Sequence, residues 1–324
     1  MNKKFLIAIL LCFTIIFPSC TKEEAPPEIT SLQEITKEQH PINTKIEVNG
    51  YPDETEFIKG FPYNDNNPFG KYYQTVRFIK ENENAVKTRY IDIGDKTLEF
   101  NYSRSETSYY NTFDIYTLKG NEAIEVYYHI NTDIVYEFLS YEETLAEIFP
   151  FGENTMSSEE ALMFYSESIA KLLGFDLTGL EYTPRTSGND ENGEYFYVDE
   201  YLENEYKKTI NRRLCCWNKV YSNGEALTAF SVQFSYTYGE FRVCSVVFHP
   251  VPDELFTISA QEVMNIAFQG NTNNIRVTGI YYTIVANNKL CKSVSYEYDV
   301  TYDNGDVATH VSSTYVFPAD TVFP

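Results

Sequence analysis

The chain is poor in the side chains that most recognisable chemistry uses. Its 324 residues include four histidines, one tryptophan and 25 Lys+Arg against 47 Asp+Glu, giving a formal charge of −22. Nucleic-acid binding relies on Lys and Arg that displace counterions from phosphates, so a chain this acidic, with no basic cluster, is excluded from that role. None of His40, His129, His249 and His310 stands in an HExxH or HxH spacing. No G-x-S-x-G elbow, Walker loop or G-x-G-x-x-G is present, so the sequence nominates no catalytic residue and reads as non-enzymatic. The oxygen-rich stretches Asn64 to Asn67 and Asn189 to Gly193 lack calcium-loop spacing and read as turns. No metal site and no cofactor follow from this sequence. Whether two carboxylates converge in a catalytic pair depends on the fold.

Long apolar runs are equally scarce. Lys3 and Lys4 precede the apolar run from Phe5 to Phe17, which matches the hydrophobic region of a signal peptide. It is shorter than the roughly 20 apolar residues a membrane-spanning helix needs. The run ends in Phe17, Pro18, Ser19 and Cys20, and it resembles a bacterial lipoprotein signal, in which a small residue precedes the lipidated cysteine. Such signals more often carry Leu where Phe17 stands. The resemblance implies loss of residues 1–19 and lipid attachment at Cys20, which places the chain in the cell envelope, outside the cytosol. Thr21, Lys22, Glu23 and Glu24 are similar to the acidic export signal of surface lipoproteins in some Gram-negative bacteria. Residues 20–60, rich in Pro, Glu, Thr and Lys, read as a tether between lipid and folded body.

The remaining chain has ample material for a core, at 43% hydrophobic and 16% aromatic, with 28 Tyr and 23 Phe. From Lys71 short alternating runs signal strands, including Thr97 to Tyr102, Thr112 to Leu118, Ala123 to Ile130 and Ile134 to Leu139. Two stretches break the alternation. Ser157-Ser158-Glu159-Glu160 opens a helix with Leu162, Tyr165, Ile169 and Leu172 on one face and Gly174 at its end. Ser259-Ala260-Gln261-Glu262 opens another that Gly270 closes, and both starts have capping-box form. After each helix an Asn-Gly pair, Asn223-Gly224 or Asn304-Gly305, predicts a hairpin with a type I′ turn. In the flanking strands Phe230, Val232 and Phe234 share one face, as do Val294, Tyr296 and Tyr298, and an amphipathic helix is the expected cover.

These features predict an α+β fold rich in β structure: a β-rich region at 61–150, then tandem helix-on-antiparallel-sheet units at 151–252 and 253–324. The first copy is the longer, with its excess around Gly188 to Lys208, and an insertion of that kind marks a candidate contact face. The segment Ile124 to Val135, the Ser-Ser-Glu-Glu-Ala-Leu helix start, Trp217 and the recurring order of helix and sheet resemble the PepSY and YcdB-type repeat of bacterial envelope proteins and peptidase propeptides, over about residues 123–317. The resemblance implies a non-catalytic protein that binds or restrains a peptidase or another protein or peptide partner. Tyrosine-rich strands and the insertion at 187–208 depart from that pattern and leave a second reading, a surface lipoprotein that binds a polysaccharide by stacking aromatic rings on sugars.

Four cysteines remain after Cys12 and Cys20 are set aside. Cys215, Cys216, Cys244 and Cys291 form an even set that permits two disulfides in an exported protein. In a simple meander Cys215 or Cys216 would lie two strands from Cys244, about 9.6 Å at the usual strand spacing, beyond the roughly 7 Å reach of a disulfide. Disulfides in another strand order and buried free thiols both remain open at this level.

Overall fold

The computed structural model describes residues 39–44, 55–59, 77–79, 82–108, 111–140, 145–149, 159–189, 195–198, 210–237, 240–269, 274–285, 288–302 and 305–321. The early strands are β1 (Phe57–Lys59), β2 (Arg77–Ile79), β3 (Thr88–Ile93), β4 (Lys96–Ser108), β5 (Asn111–Leu118), β6 (Asn121–His129) and β7 (Val135–Ser140). Helix α1 (Glu159–Leu172) follows, then β8 (Glu181–Asn189), β9 (Tyr195–Val198), β10 (Ile210–Val220), β11 (Ala226–Thr237) and β12 (Glu240–Phe248). Helix α2 (Ala260–Phe268) and β13 (Ile275–Val285), β14 (Lys289–Thr301) and β15 (Val307–Pro318) complete the order.

The strands form two antiparallel sheets, one of eleven strands in the order β2-β4-β5-β6-β7-β12-β11-β10-β8-β9, with β3 beside β4, and one of four in the order β1-β15-β14-β13. This overturns the expected α+β arrangement of tandem helix-on-sheet units. β7 pairs with β12 through Leu139 with Ser245, Phe138 with Val246 and Glu137 with Val247, so the early meander and the strands that follow α1 belong to one sheet. They also share one core. Phe100, Tyr116, Val126 and Phe138 meet Leu162, Ile169 and Ala170 of α1 and Phe230, Val232 and Phe248 of β11 and β12. Each such side chain fully removed from water contributes about 1.5–3 kcal/mol, so α1 is held by both meanders. The sequence-level error has a physical origin. Alternation shows which side of a strand is covered, whereas the strand lying beside its edge is set by long-range packing.

Local signals fared better. Gly174 (φ 66°) ends α1 by a left-handed turn in which Gly174 N–H bonds Lys171 O at 3.1 Å and Phe175 N–H bonds Ala170 O at 2.8 Å, the double closure that a glycine past a helix end permits. Ser259 caps α2 by accepting from Glu262 N–H at 3.2 Å. Gln269, at φ 51°, takes the left-handed position there, and Gly270, expected to close the helix, lies outside the described residues, as does Ser157. The Asn-Gly turn between β10 and β11 differs from expectation. Gly224 has φ 82° while Asn223 is not among the positive-φ residues, and Gly224 N–H bonds Tyr221 O at 2.9 Å. This is a type I turn ending in a glycine bulge, which needs only one positive φ. Gly305 (φ 84°) makes the matching bond to Tyr302 O at 2.8 Å.

Candidate functional site

The thiols are the first sequence candidates to place. Cys215, Cys216, Cys244 and Cys291 are all buried and unbridged. β10, β11 and β12 are consecutive neighbours in their sheet, the simple meander that puts Cys215 and Cys244 two strands apart. Burial pushes the Cys215 thiol up to about 12, against a hydrogen-bonding contact with Tyr182 Oη at 3.4 Å. Cys244 and Cys291 are also raised by burial. A thiol that resists ionisation is a poor nucleophile and a poor metal ligand. Cys20, the residues around it and the Asn64 to Asn67 stretch lie outside the described residues, as do 190–194 and 199–208 of the insertion.

Three carboxylates converge on the side of the large sheet away from α1. Arg104 donates to both oxygens of Glu125, at 2.5 and 3.1 Å, and to Glu106 Oε2 at 3.2 Å. Tyr127 Oη donates to Glu125 Oε2 at 2.8 Å and Ser245 Oγ to Glu137 Oε1 at 2.6 Å. Burial, with the nearby Glu125 and Glu106 charges, pushes the Glu137 carboxyl up to about 7, and burial raises Glu106 as well. Beside this group Phe113 stacks on Tyr136 at 4.7 Å, and Tyr136 meets His249 edge-on at 5.8 Å. Desolvation lowers His249 to about 4. The acids are thus engaged by an arginine, a tyrosine and a serine and flanked by rings already in mutual contact. No group of three or more His, Cys, Asp or Glu residues able to hold a metal ion occurs among the described residues. A cavity of about 360 Å³ beside the β5–β6 turn is lined by Tyr102, Thr117, Lys119 and Glu122, among others. It gathers none of these buried acids, and Lys119 is tied to Glu99 at 3.0 Å.

The small sheet presents a different kind of surface. Helix α2 covers one side of its inner half, where Val263, Ala267 and Phe268 pack on Val294 and Val316. The helix has nine residues and β14 has thirteen, so the outer half of the β14–β15 hairpin extends past its cover. There Tyr298 stacks on His310 at 5.6 Å and Tyr302 Oη reaches His310 Nε2 at 3.2 Å. On the other side Arg276 pairs with Glu297 at 3.4 Å and with Asp299 at 3.1 Å, and Thr309 Oγ1 donates to Asp299 at 2.8 Å. Eight large hydrophobic side chains are exposed among the described residues, and five of them, Val277, Tyr281, Tyr302, Val307 and Val311, belong to this sheet and its hairpin. Val307 is 62% and Val311 71% exposed. Sequence reading placed the β15 strand but not its bare surface. The available signal was the run Val307 to Phe317, eleven residues with no Lys, Arg, Asp, Glu, Gly or Pro.

Comparison with known proteins adds little. No family model matches the chain, and no curated protein matches it. Among solved structures it is similar to the Bacillus megaterium YpeB C-terminal domain at 11% identity and a TM-score of 0.24, over 72% of this chain and 88% of that one. Values this low carry no argument about fold or function.

Proposed function

We propose that this chain is a non-catalytic, lipid-anchored protein of the cell envelope that holds another polypeptide against its small sheet. The observation that carries the reading is the set of exposed apolar side chains on the small sheet: Tyr281, Val307 and Val311 on the face turned away from α2, and Val277 and Tyr302 on the other face beyond the reach of α2. Val307 and Val311 lie together on the outermost strand of the face turned away from α2, the kind of exposed apolar feature that marks an interaction site. The anchor rests on the lipoprotein-like Cys20 signal, and the resemblance to peptidase-restraining modules makes a peptidase the partner to test first. Sugar stacking is the weaker reading, because Tyr298 already stacks on His310 and Tyr296 meets Phe268 edge-on at 5.1 Å. The test is a photo-crosslinking amino acid placed at Val311 of the full chain in its native cells, with Lys119 as an exposed control position. A protein adduct specific to position 311 is expected; equal labelling at both positions, or none, would overturn the reading.

A further inference from the structure

Resting on that reading of the small sheet, we infer that the polypeptide it holds along β15 is a second copy of this chain, joined edge to edge about a two-fold axis through Thr309. In an antiparallel ladder, alternate residues turn their N–H and C=O toward the same neighbour. Tyr302 N–H donates to Asp306 O at 2.8 Å, and β15 pairs with β14 from Val307 to Val316 without a register shift. Val307, Thr309, Val311 and Ser313 therefore direct their main-chain groups away from β14. The other end gives the same parity, since Ala319 N–H bonds Glu56 O at 2.6 Å on the side where β1 lies. β1 occupies that edge only from Val316 to Pro318. Among the described residues no strand pairs with Val307–Ser313 on this side.

An uncapped edge free of charge, Pro and bulges is a template for strand addition, and native edges usually carry such guards. β13, the other edge of this sheet, has them: Arg276 and a register shift between Val277 and Gly279. The Val307–Ser313 stretch of β15 lacks them, and further along the strand already accepts one distant strand, β1, by the same mode. Its sequence is self-complementary about Thr309. Antiparallel pairing there sets Val307 beside Val311 twice on one face, so the two most exposed apolar side chains of the described residues contact each other. Valine pairs of this kind are favourable cross-strand neighbours. No like charges face each other in this register, because Asp306 falls opposite Ser312 and His310 opposite Ala308. The contact is isologous and closed, so it yields a dimer and no fibre.

The geometry makes a direct test. Hydrogen-bonded partners lie about 5.5 Å apart at Cα, within disulfide reach, so Thr309→Cys in the membrane-bound full chain should bridge under mild oxidation and run at twice the chain mass. The Lys119→Cys control should not bridge, and adding Val311→Lys to Thr309→Cys should abolish the bridge. A bridge at position 311 with none at 309, or equal bridging at 309 and 119, overturns the proposal. The two readings separate cleanly. A crosslink from position 311 to a different protein, with no bridge at 309, removes the dimer and leaves the binding surface standing, whereas failure of both removes the surface itself.

Discussion

Glu137 and His249 act in opposite senses on stability. The folded state holds the Glu137 proton up to about pH 7, against 4.5 for the free group. It therefore binds more protons than the unfolded chain across that window, and stability falls as pH rises from 4.5 to 7. His249 is lowered from 6.5 to about 4, so its contribution is complete above 6.5 and is lost as pH falls toward 4. Each effect is on the order of 3 kcal/mol at most, and from pH 4.5 to 6.5 the two offset. Urea midpoints measured against pH separate the two contributions, which oppose each other in the natural chain while the raised Glu106 carboxyl adds a fall of its own with rising pH. Glu137→Gln should leave stability rising with pH from 4 to 6.5, and His249→Gln should leave it falling from 4.5 to 7; parallel profiles for both variants would refute the assignment. A second residue-scale prediction concerns Gly94. It has φ +65° and donates to Leu172 O at 2.8 Å, and an added Cβ would stand 2.8 Å from Leu172 Cδ2. Gly94→Ala should lower stability by about 1–3 kcal/mol through backbone strain and displacement of the α1 end, visible as a lower thermal midpoint. Neither effect was legible in the sequence, because desolvation and close approach are made by residues distant along the chain.

At the scale of single elements the sequence was informative, and for an identifiable reason. Caps and alternation are properties of neighbours in sequence, so α2 is found where Ser259 and Glu262 mark it, and β14 where Val294, Tyr296 and Tyr298 alternate with Ser295 and Glu297. Ser259→Ala removes the acceptor for Glu262 N–H and should cost about 1 kcal/mol. The small sheet should loosen first, and amide exchange in β14 and β15 should accelerate more than in β4 to β7. Uniform acceleration would show instead that the two sheets open as one. What the sequence left hidden at this scale is that nothing among the described residues covers the face of β15 that carries Val307 and Val311, since α2 packs on the opposite face with Val294 and Val316. Alternation along β15 was visible in the sequence; which of its two faces receives the helix is decided only by packing in space.

For the whole molecule, acidity and thiol burial govern behaviour. Two copies each of formal charge −22 repel at long range, and salt shortens that range to about 8 Å at physiological strength. Bridging of Thr309→Cys should therefore rise with salt; a decrease would point to attraction between charges at the contact. The four described cysteines, each buried, should resist alkylation in the native protein and react only on denaturation, as peptide mass analysis would show. Cys20→Ala should release the chain from the membrane fraction, and unchanged fractionation would remove the proposed anchor. The merger of the early meander with the later strands escaped sequence reading at this scale too. Nothing in Leu139 or Phe138 announces that β12, rather than a strand nearer in sequence, will lie alongside.

That merger also sets the order in which the molecule can mature. Ser245 and Glu137, which meet at the junction, stand 108 positions apart, and synthesis delivers the amino-terminal side first. Until β12 emerges, β7 presents an unsatisfied margin carrying Val135 and Phe138, both wholly enclosed in the finished protein. The nascent chain thus passes through an interval of adhesive exposure that ends only when β12 docks.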